Sequence, residues 1–276
     1  MDDIKIMVCC HKKVELPQHE YFFPIHVGKA LTETVLPYTP DNTGENISEK
    51  NHSYCELTAH YWMWKNNPCD IIGLNHYRRY FDFFRKNAKW SPDRSFTSLE
   101  HFLNQPYRFG DIGKILEQYD IILPPKRHWP YSLHQQYCIF HIVNDWNILR
   151  EVIMELSPDY ISAFDKFFYH NNALCNYNMF ITRWNIFDKY SEWVFKILFE
   201  MEKRVKLSGY QDQGRLYGYL TERLINVFCM RHNLRIKYIP VIMPLEDANA
   251  EKANPSLAKH NWRKIKNDFK YKISVL

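Results

Sequence analysis

The sequence predicts an α/β fold: a Rossmann-like, mostly parallel central sheet flanked by helices, with one smaller appendage. Three observations predict it. Short, largely apolar runs of strand length lie at Ile4 to Cys10, Ile71 to Leu74 and Asp120 to Leu123, as expected of strands buried on both faces. Between and after them come segments whose apolar residues recur at helical spacing. Each run also ends in basic residues: His11-Lys12-Lys13 after the first, His76 to Arg79 after the second, and Lys126-Arg127 behind Pro124-Pro125 after the third. In open α/β sheets that carboxyl edge is where ligands bind.

The totals narrow the function. A chain of 276 residues buries a single substantial core. Its net charge of +5 has no long basic run behind it, which favours a phosphate-bearing ligand or an anionic membrane surface over extended nucleic-acid binding. The many Tyr, Phe and Trp residues supply core, and also stacking platforms for flat or cyclic ligands. Seven cysteines, among them the adjacent Cys9 and Cys10, form neither a disulfide framework nor a metal-ligand spacing. With no signal peptide or membrane-length apolar run in view, a cytoplasmic protein is expected, with any membrane contact peripheral, at the inner face of the plasma membrane.

Taken in order, Ile4 to Cys10 is the opening strand, and His11 and Lys12 stand where a nucleotide-binding domain begins to hold its ligand; a solvated turn is the equal alternative. Residues 17–52 carry Pro17, Pro24, Pro37 and Pro40 and read as one long irregular connection. Within it, the polar turn Asp41 to Ser48, including Asn46, suits a ribose or sugar, though turns have this composition anyway. Ser53-Tyr54-Cys55-Glu56 fits a capping box that starts a helix running to about Asn66, with Tyr54, Leu57, Tyr61 and Trp64 on its buried face. Glu56 thereby has a structural explanation.

Asp70 to Phe81, D-I-I-G-L-N-H-Y-R-R-Y-F, organises the rest. Its first half is a buried strand. Its second half places His76, Tyr77, Arg78 and Arg79 on the following loop, and paired guanidinium forks match phosphate oxygens bidentately. Residues 82–108 read as an excursion from the sheet. A short helix near Asp111 to Tyr119 then precedes the Asp120 to Leu123 strand, and Lys126 beyond it adds a second basic edge to the phosphate pocket.

From Leu133 to Leu156 the spacing predicts one helix with Tyr137, His141 and Asp145 along one face. Residues 157–172 read as a connection. Cys175 to Thr182, C-N-Y-N-M-F-I-T, reads as a strand in which Asn178 needs a partner, a sugar hydroxyl being one candidate. Two amphipathic helices follow, one burying Phe187, Tyr190, Val194, Ile197, Met201 and Val205, the other Leu216, Leu220, Leu224 and Val227. Arg215 and Glu222 share the opposite face of the second, either paired to the scaffold or pointing into the pocket. Beyond residue 244 the chain turns polar and ends in a basic aromatic tail that suits either solvent or an anionic membrane.

The segments N-H-S-Y-C-E-L-T-A-H-Y-W-M-W-K-N, G-L-N-H-Y-R-R-Y-F, C-N-Y-N-M-F-I and G-Y-L-T-E-R-L occur in this order between Ile4 and Phe228. Together they resemble a bacterial family first catalogued as a domain of unknown function, then recognised as galactofuranosyltransferases of capsule, exopolysaccharide and O-antigen synthesis. The resemblance implies a GT-A-like glycosyltransferase domain over residues 1–245, followed by the tail at 246–276. It implies transfer of galactofuranose from UDP-galactofuranose to a lipid-linked glycan acceptor with inversion, which needs a general base and stabilisation of departing UDP.

On this reading the donor residues are His11, Lys12, Asn46, His76, Tyr77, Arg78, Arg79, Lys126, Asn178 and Arg215. The candidates for the base are Asp212 and Glu222, ahead of Asp145 and His141. Where many GT-A enzymes place a metal-binding Asp-x-Asp, this chain has His76-Tyr77-Arg78-Arg79, so arginine charge is expected to replace the cation and no cofactor is expected. The alternatives are transfer of a hexopyranose from a UDP-sugar and, in another class, a non-catalytic module binding phosphate or nucleic acid.

Overall fold

A computed structural model describes residues 2–84, 92–210 and 212–274. Trp90, within the 82–108 excursion, and Gln211, in the turn the sequence places at Gly209 to Gly214, lie outside the described residues. The strands are β1 (Ile4–Cys10), β2 (Phe22–His26), β3 (Thr39–Pro40), β4 (Ile71–His76), β5 (Tyr80–Phe81), β6 (Arg94–Ser98), β7 (Ile121–Leu123), β8 (Arg127–His128), β9 (Ala173–Leu174), β10 (Phe180–Arg183), β11 (Ile236–Tyr238) and β12 (Val241–Leu245). Seven of them form the central sheet in the order β11-β7-β10-β4-β1-β2-β3. Within it β1 runs parallel to β2 and β4, β2 to β3, and β7 to β11. β10 alone is antiparallel to its neighbours β4 and β7.

That reversal shapes the ligand edge. Cys9 is level with His76, and Phe180 with Leu74, so the chain leaving β1 and β4 and the chain entering β10 emerge side by side. Gly73 permits the close approach of β10, because a Cβ there would lie 2.7 Å from Ile6 Cδ1 and 2.9 Å from Ile181 Cγ1. Successive β4 side chains then divide between two cores, Ile72 and Leu74 on one face and Ile71 on the other. The first face carries the helices Leu57–Asn66, Leu133–Phe140, Val143–Leu156, Ile161–Tyr169, Trp184–Arg204 and Leu216–Arg231. The second is covered by the helix Ile112–Gln118 and a small sheet of β5, β12 and β6. Among the described residues no helix is long and apolar enough to cross a membrane.

Several local expectations need correction. The connection at 17–52 contains β2 and β3; Pro24 had hidden β2, yet β3 pairs only with Ile25 and His26, leaving Pro24 at a free edge where it is tolerated. Ser53 caps nothing: it lies inside a short helix, Asn51–Tyr54, and the chain breaks at Cys55, whose φ is +53°. Asn51 Nδ2 pins that break by donating to the Cys55 carbonyl at 2.7 Å. The predicted 133–156 helix is two helices, parted at His141 and Ile142, and the first is opened by a capping box between Ser132 and Gln135.

The 157–172 connection holds the helix Ile161–Tyr169, whose Phe164, Phe167 and Phe168 are buried. The strand near 175–182 begins only at Phe180, because Tyr177 and Asn178 have φ of +83° and +50°. The excursion at 82–108 supplies β6 and the helix Leu99–Leu103. The polar tail contains the helix Leu257–Ser274. By contrast, the apolar positions assigned to the two long helices are buried as read, Val205 partly so. All seven cysteines are unpaired.

Candidate functional site

A cavity of about 630 Å³ opens at the carboxyl edge of β1 and β4, lined by His11, Cys55, Glu56, His76, Arg78 and Arg215 among others. Its chemistry follows from the loops that reach it. After β4 the chain turns back at once, the Arg79 N–H donating to the His76 carbonyl at 2.8 Å. The turn sends the two arginines apart. Arg78 is exposed and lines the cavity, its guanidinium 5.1 Å from the centre of the Tyr77 ring. Arg79 instead lies over Tyr177 at 4.8 Å, and its Nε is buried without a hydrogen-bond partner among the described residues.

The imidazoles of this edge are neutral. Burial, reinforced by Arg79, Arg78, His11 and Arg215, pushes His76 down to about 2. His11 is lowered by burial and then by Arg78. His76 Nδ1 accepts the Arg78 N–H at 3.4 Å, leaving Nε2 as the protonated nitrogen. Positive charge in the cavity therefore comes from Arg78 and Arg215, whereas the ammonium of Lys50, also in the lining, is paired with Glu202 at 2.8 Å. Arg215 precedes the Leu216–Arg231 helix and is held by its Nε donating to Cys55 Sγ at 3.3 Å. Burial leads in raising that thiol to about 11, so Cys55 is an uncharged support.

A second cavity of about 370 Å³ is lined by Arg127, Trp129, His141, Asp212, Tyr219 and Glu222 among others. The turn between the two long helices parts the cavities, with Gly214 and Arg215 lining the first and Asp212 and Gln213 the second. Tyr219 bridges them, its ring 4.5 Å from His141 and 5.8 Å from the Arg215 guanidinium. Glu222 has its carboxyl raised, by burial first and also by nearby Glu56. His141 is lowered to about 4 by burial.

The left-handed pair Tyr177-Asn178 joins the two carboxylates. The Tyr177 backbone N–H donates to Glu222. Asn178 Nδ2 donates to Glu56 Oε1 at 2.9 Å and to the Gly218 carbonyl at 2.9 Å. Backbone held in sparsely populated conformations clusters at functional sites.

The predicted residues fall into three groups. His11, His76, Arg78 and Arg215 line the larger cavity, and Tyr77 packs behind His76 and His11. His141, Asp212 and Glu222 line the smaller one. The rest stand apart from both linings. Lys12 is exposed, its Nζ 4.0 Å from Glu246 and 6.0 Å from the Tyr77 ring. Asn46 folds its side chain onto its own loop, bonding Gly44 and Ser48. Lys126 is exposed. Asp145 is buried and lines neither cavity. Asn178 meets protein groups, not open space. The residue missed in the sequence is Glu56, whose capping-box spacing concealed a carboxylate that faces the larger cavity.

Residues 5–233 match the family described as a domain of unknown function, DUF4422. The chain belongs to that family. This DUF4422 chain is also similar to the solved apo structure of the bifunctional glycosyltransferase WbbM, with a TM-score of 0.79 and 29% identity over 88% of this chain. It spans 45% of the length of that chain. No curated protein sequence matches it. The DUF4422 chain thus has a glycosyltransferase fold. Behind β4 it presents imidazole and guanidinium groups, and among the described residues no three His, Cys, Asp or Glu side chains are grouped to hold a metal ion.

Proposed function

We propose that this protein is an inverting glycosyltransferase that moves galactofuranose from UDP-galactofuranose to a hydroxyl of a lipid-linked surface glycan, without a metal. The observation that carries this reading is the juxtaposition of Arg78 and Arg215 with neutral His11 and His76 at the carboxyl edge of the sheet. Fixed positive charge suits a leaving diphosphate, and uncharged imidazoles add hydrogen bonds without a further desolvation cost. The similarity to a glycosyltransferase supports sugar transfer, and the galactofuranose donor rests on the motif resemblance.

The chemistry is a single displacement. The acceptor oxygen attacks C1 of the sugar, the bond from C1 to the phosphate oxygen breaks, and UDP departs with the electron pair. The acceptor proton passes to Glu222, whose raised pKa brings it nearer to neutrality than an ordinary carboxyl. On this reading the donor occupies the larger cavity and the acceptor the smaller. Asp212 and His141 orient the acceptor hydroxyls, and Arg127 and Trp129 offer a charged and a stacking contact.

The test pairs UDP-galactofuranose with UDP-galactopyranose on one acceptor, with and without excess EDTA. UDP release that requires the furanose and is undiminished by chelation is expected. Preference for the pyranose would overturn the donor assignment, and loss of turnover restored by manganese or magnesium would overturn the arginine-for-metal assignment. Binding of single-stranded RNA with no sugar transfer would favour the non-catalytic reading.

A further inference from the structure

The Leu257–Ser274 helix presents large apolar side chains to solvent on one stripe. Trp262, Ile265, Phe269 and Ile273 are 66%, 59%, 64% and 57% exposed, and their spacing keeps them on one side of the helix. The opposite side is anchored. Asp268 bonds His128 Nδ1 at 2.6 Å and the Asn172 amide at 2.9 Å, and Asn267 donates to the His128 carbonyl at 2.8 Å. The stripe is thus held outward by a docked helix.

Charge identifies what covers it. The helix carries Lys259, Arg263, Lys264, Lys266, Lys270 and Lys272 against a single carboxylate, Asp268, already engaged by His128 and Asn172. Lys259, Lys266 and Lys270 project beside the stripe on one flank and Lys272 on the other. Pairing with a second copy would set these cations against one another. A surface of anionic headgroups over acyl chains satisfies both features, lysines meeting phosphate and the rings entering the interface.

We propose that this helix seats the protein on an anionic lipid bilayer through Trp262, Ile265, Phe269 and Ile273. Since His128 adjoins Arg127 in β8, the contact tethers the Arg127 wall of the smaller cavity to the bilayer. The inference stands whatever sugar is transferred.

Co-sedimentation of the whole chain tests it, using vesicles of phosphatidylcholine alone or mixed with phosphatidylglycerol. Binding only to the mixed vesicles, weakened by salt, is expected. The W262S/F269S double variant should bind at least about tenfold more weakly, and K266E/K270E should lose about fivefold or more per charge. Those side chains are exposed, so far-ultraviolet circular dichroism and the thermal midpoint should not move. Failure of the parent chain to bind, or binding unchanged in both variants, would overturn the proposal. So would a dimer in sedimentation that W262S/F269S dissolves and vesicles do not displace.

Discussion

Glu222 and Glu56 share one turn of backbone yet have unlike surroundings. Glu222 sits in the smaller cavity with its carboxyl raised by burial, and Glu56 is tied to Asn178 at the wall of the larger one. A base gains from a pKa nearer the working pH, and a positioning carboxylate does not need one. Glu222→Gln should therefore lower kcat by about a hundredfold or more while leaving donor KM near its parent value, as measured by initial-rate kinetics. The acid limb of kcat against pH should lie above the ordinary carboxyl value, since the base must lose its proton to act. If Glu56→Gln shows that loss and Glu222→Gln does not, the base is Glu56. Residue-scale reading of the sequence reached Glu222, Arg78 and Arg215 because helix spacing and loop position are local. It passed over Glu56 because a capping box explained it.

At the scale of elements, β4 is the hinge of the design, and Gly73 is its tightest point. A methyl group there would come within 2.7 Å of Ile6, 2.9 Å of Ile181 and 3.0 Å of the Phe180 carbonyl, where neither neighbouring strand can withdraw. Gly73→Ala should cost about 1–3 kcal/mol, read from urea unfolding. A midpoint equal to the parent's would mean that β10 packs more loosely than described. The strands with continuous apolar runs were legible in the sequence because burial on both faces leaves that pattern. β2 was not, since Pro24 imitates a break, and the left-handed turn at Tyr177-Asn178 was read as strand. Its conformation is imposed by Glu222, Glu56 and Gly218, all distant in sequence.

For the whole molecule, packing a cationic edge and an aromatic core around uncharged imidazoles has a cost in acid. Burial pushes His60 down to about 3, His141 to about 4 and His76 to about 2. His60 is enclosed in the core with Nε2 against Ser191 Oγ at 2.7 Å. Folded values below the ordinary 6.5 mean that the unfolded chain takes up protons first as pH falls. Stability is therefore whole above that value and drains away below it. For His60 the loss between pH 7 and pH 5 is of order 2 kcal/mol. Urea midpoints should fall over that interval, and a flat profile would contradict neutral burial.

The sequence by itself determined the class of fold, the two long helices and the basic residues at the strand ends, because periodicity and burial are written in neighbouring residues. Only the tertiary structure decided which of those residues meet. The antiparallel course of β10 brings Tyr177 under Arg79 and Asn178 onto Glu56, the turn after β4 sends Arg78 and Arg79 in different directions, and the supposed cap Glu56 becomes part of the cavity wall. Strand direction and loop convergence depend on contacts between segments far apart in the chain, and no local pattern encodes them.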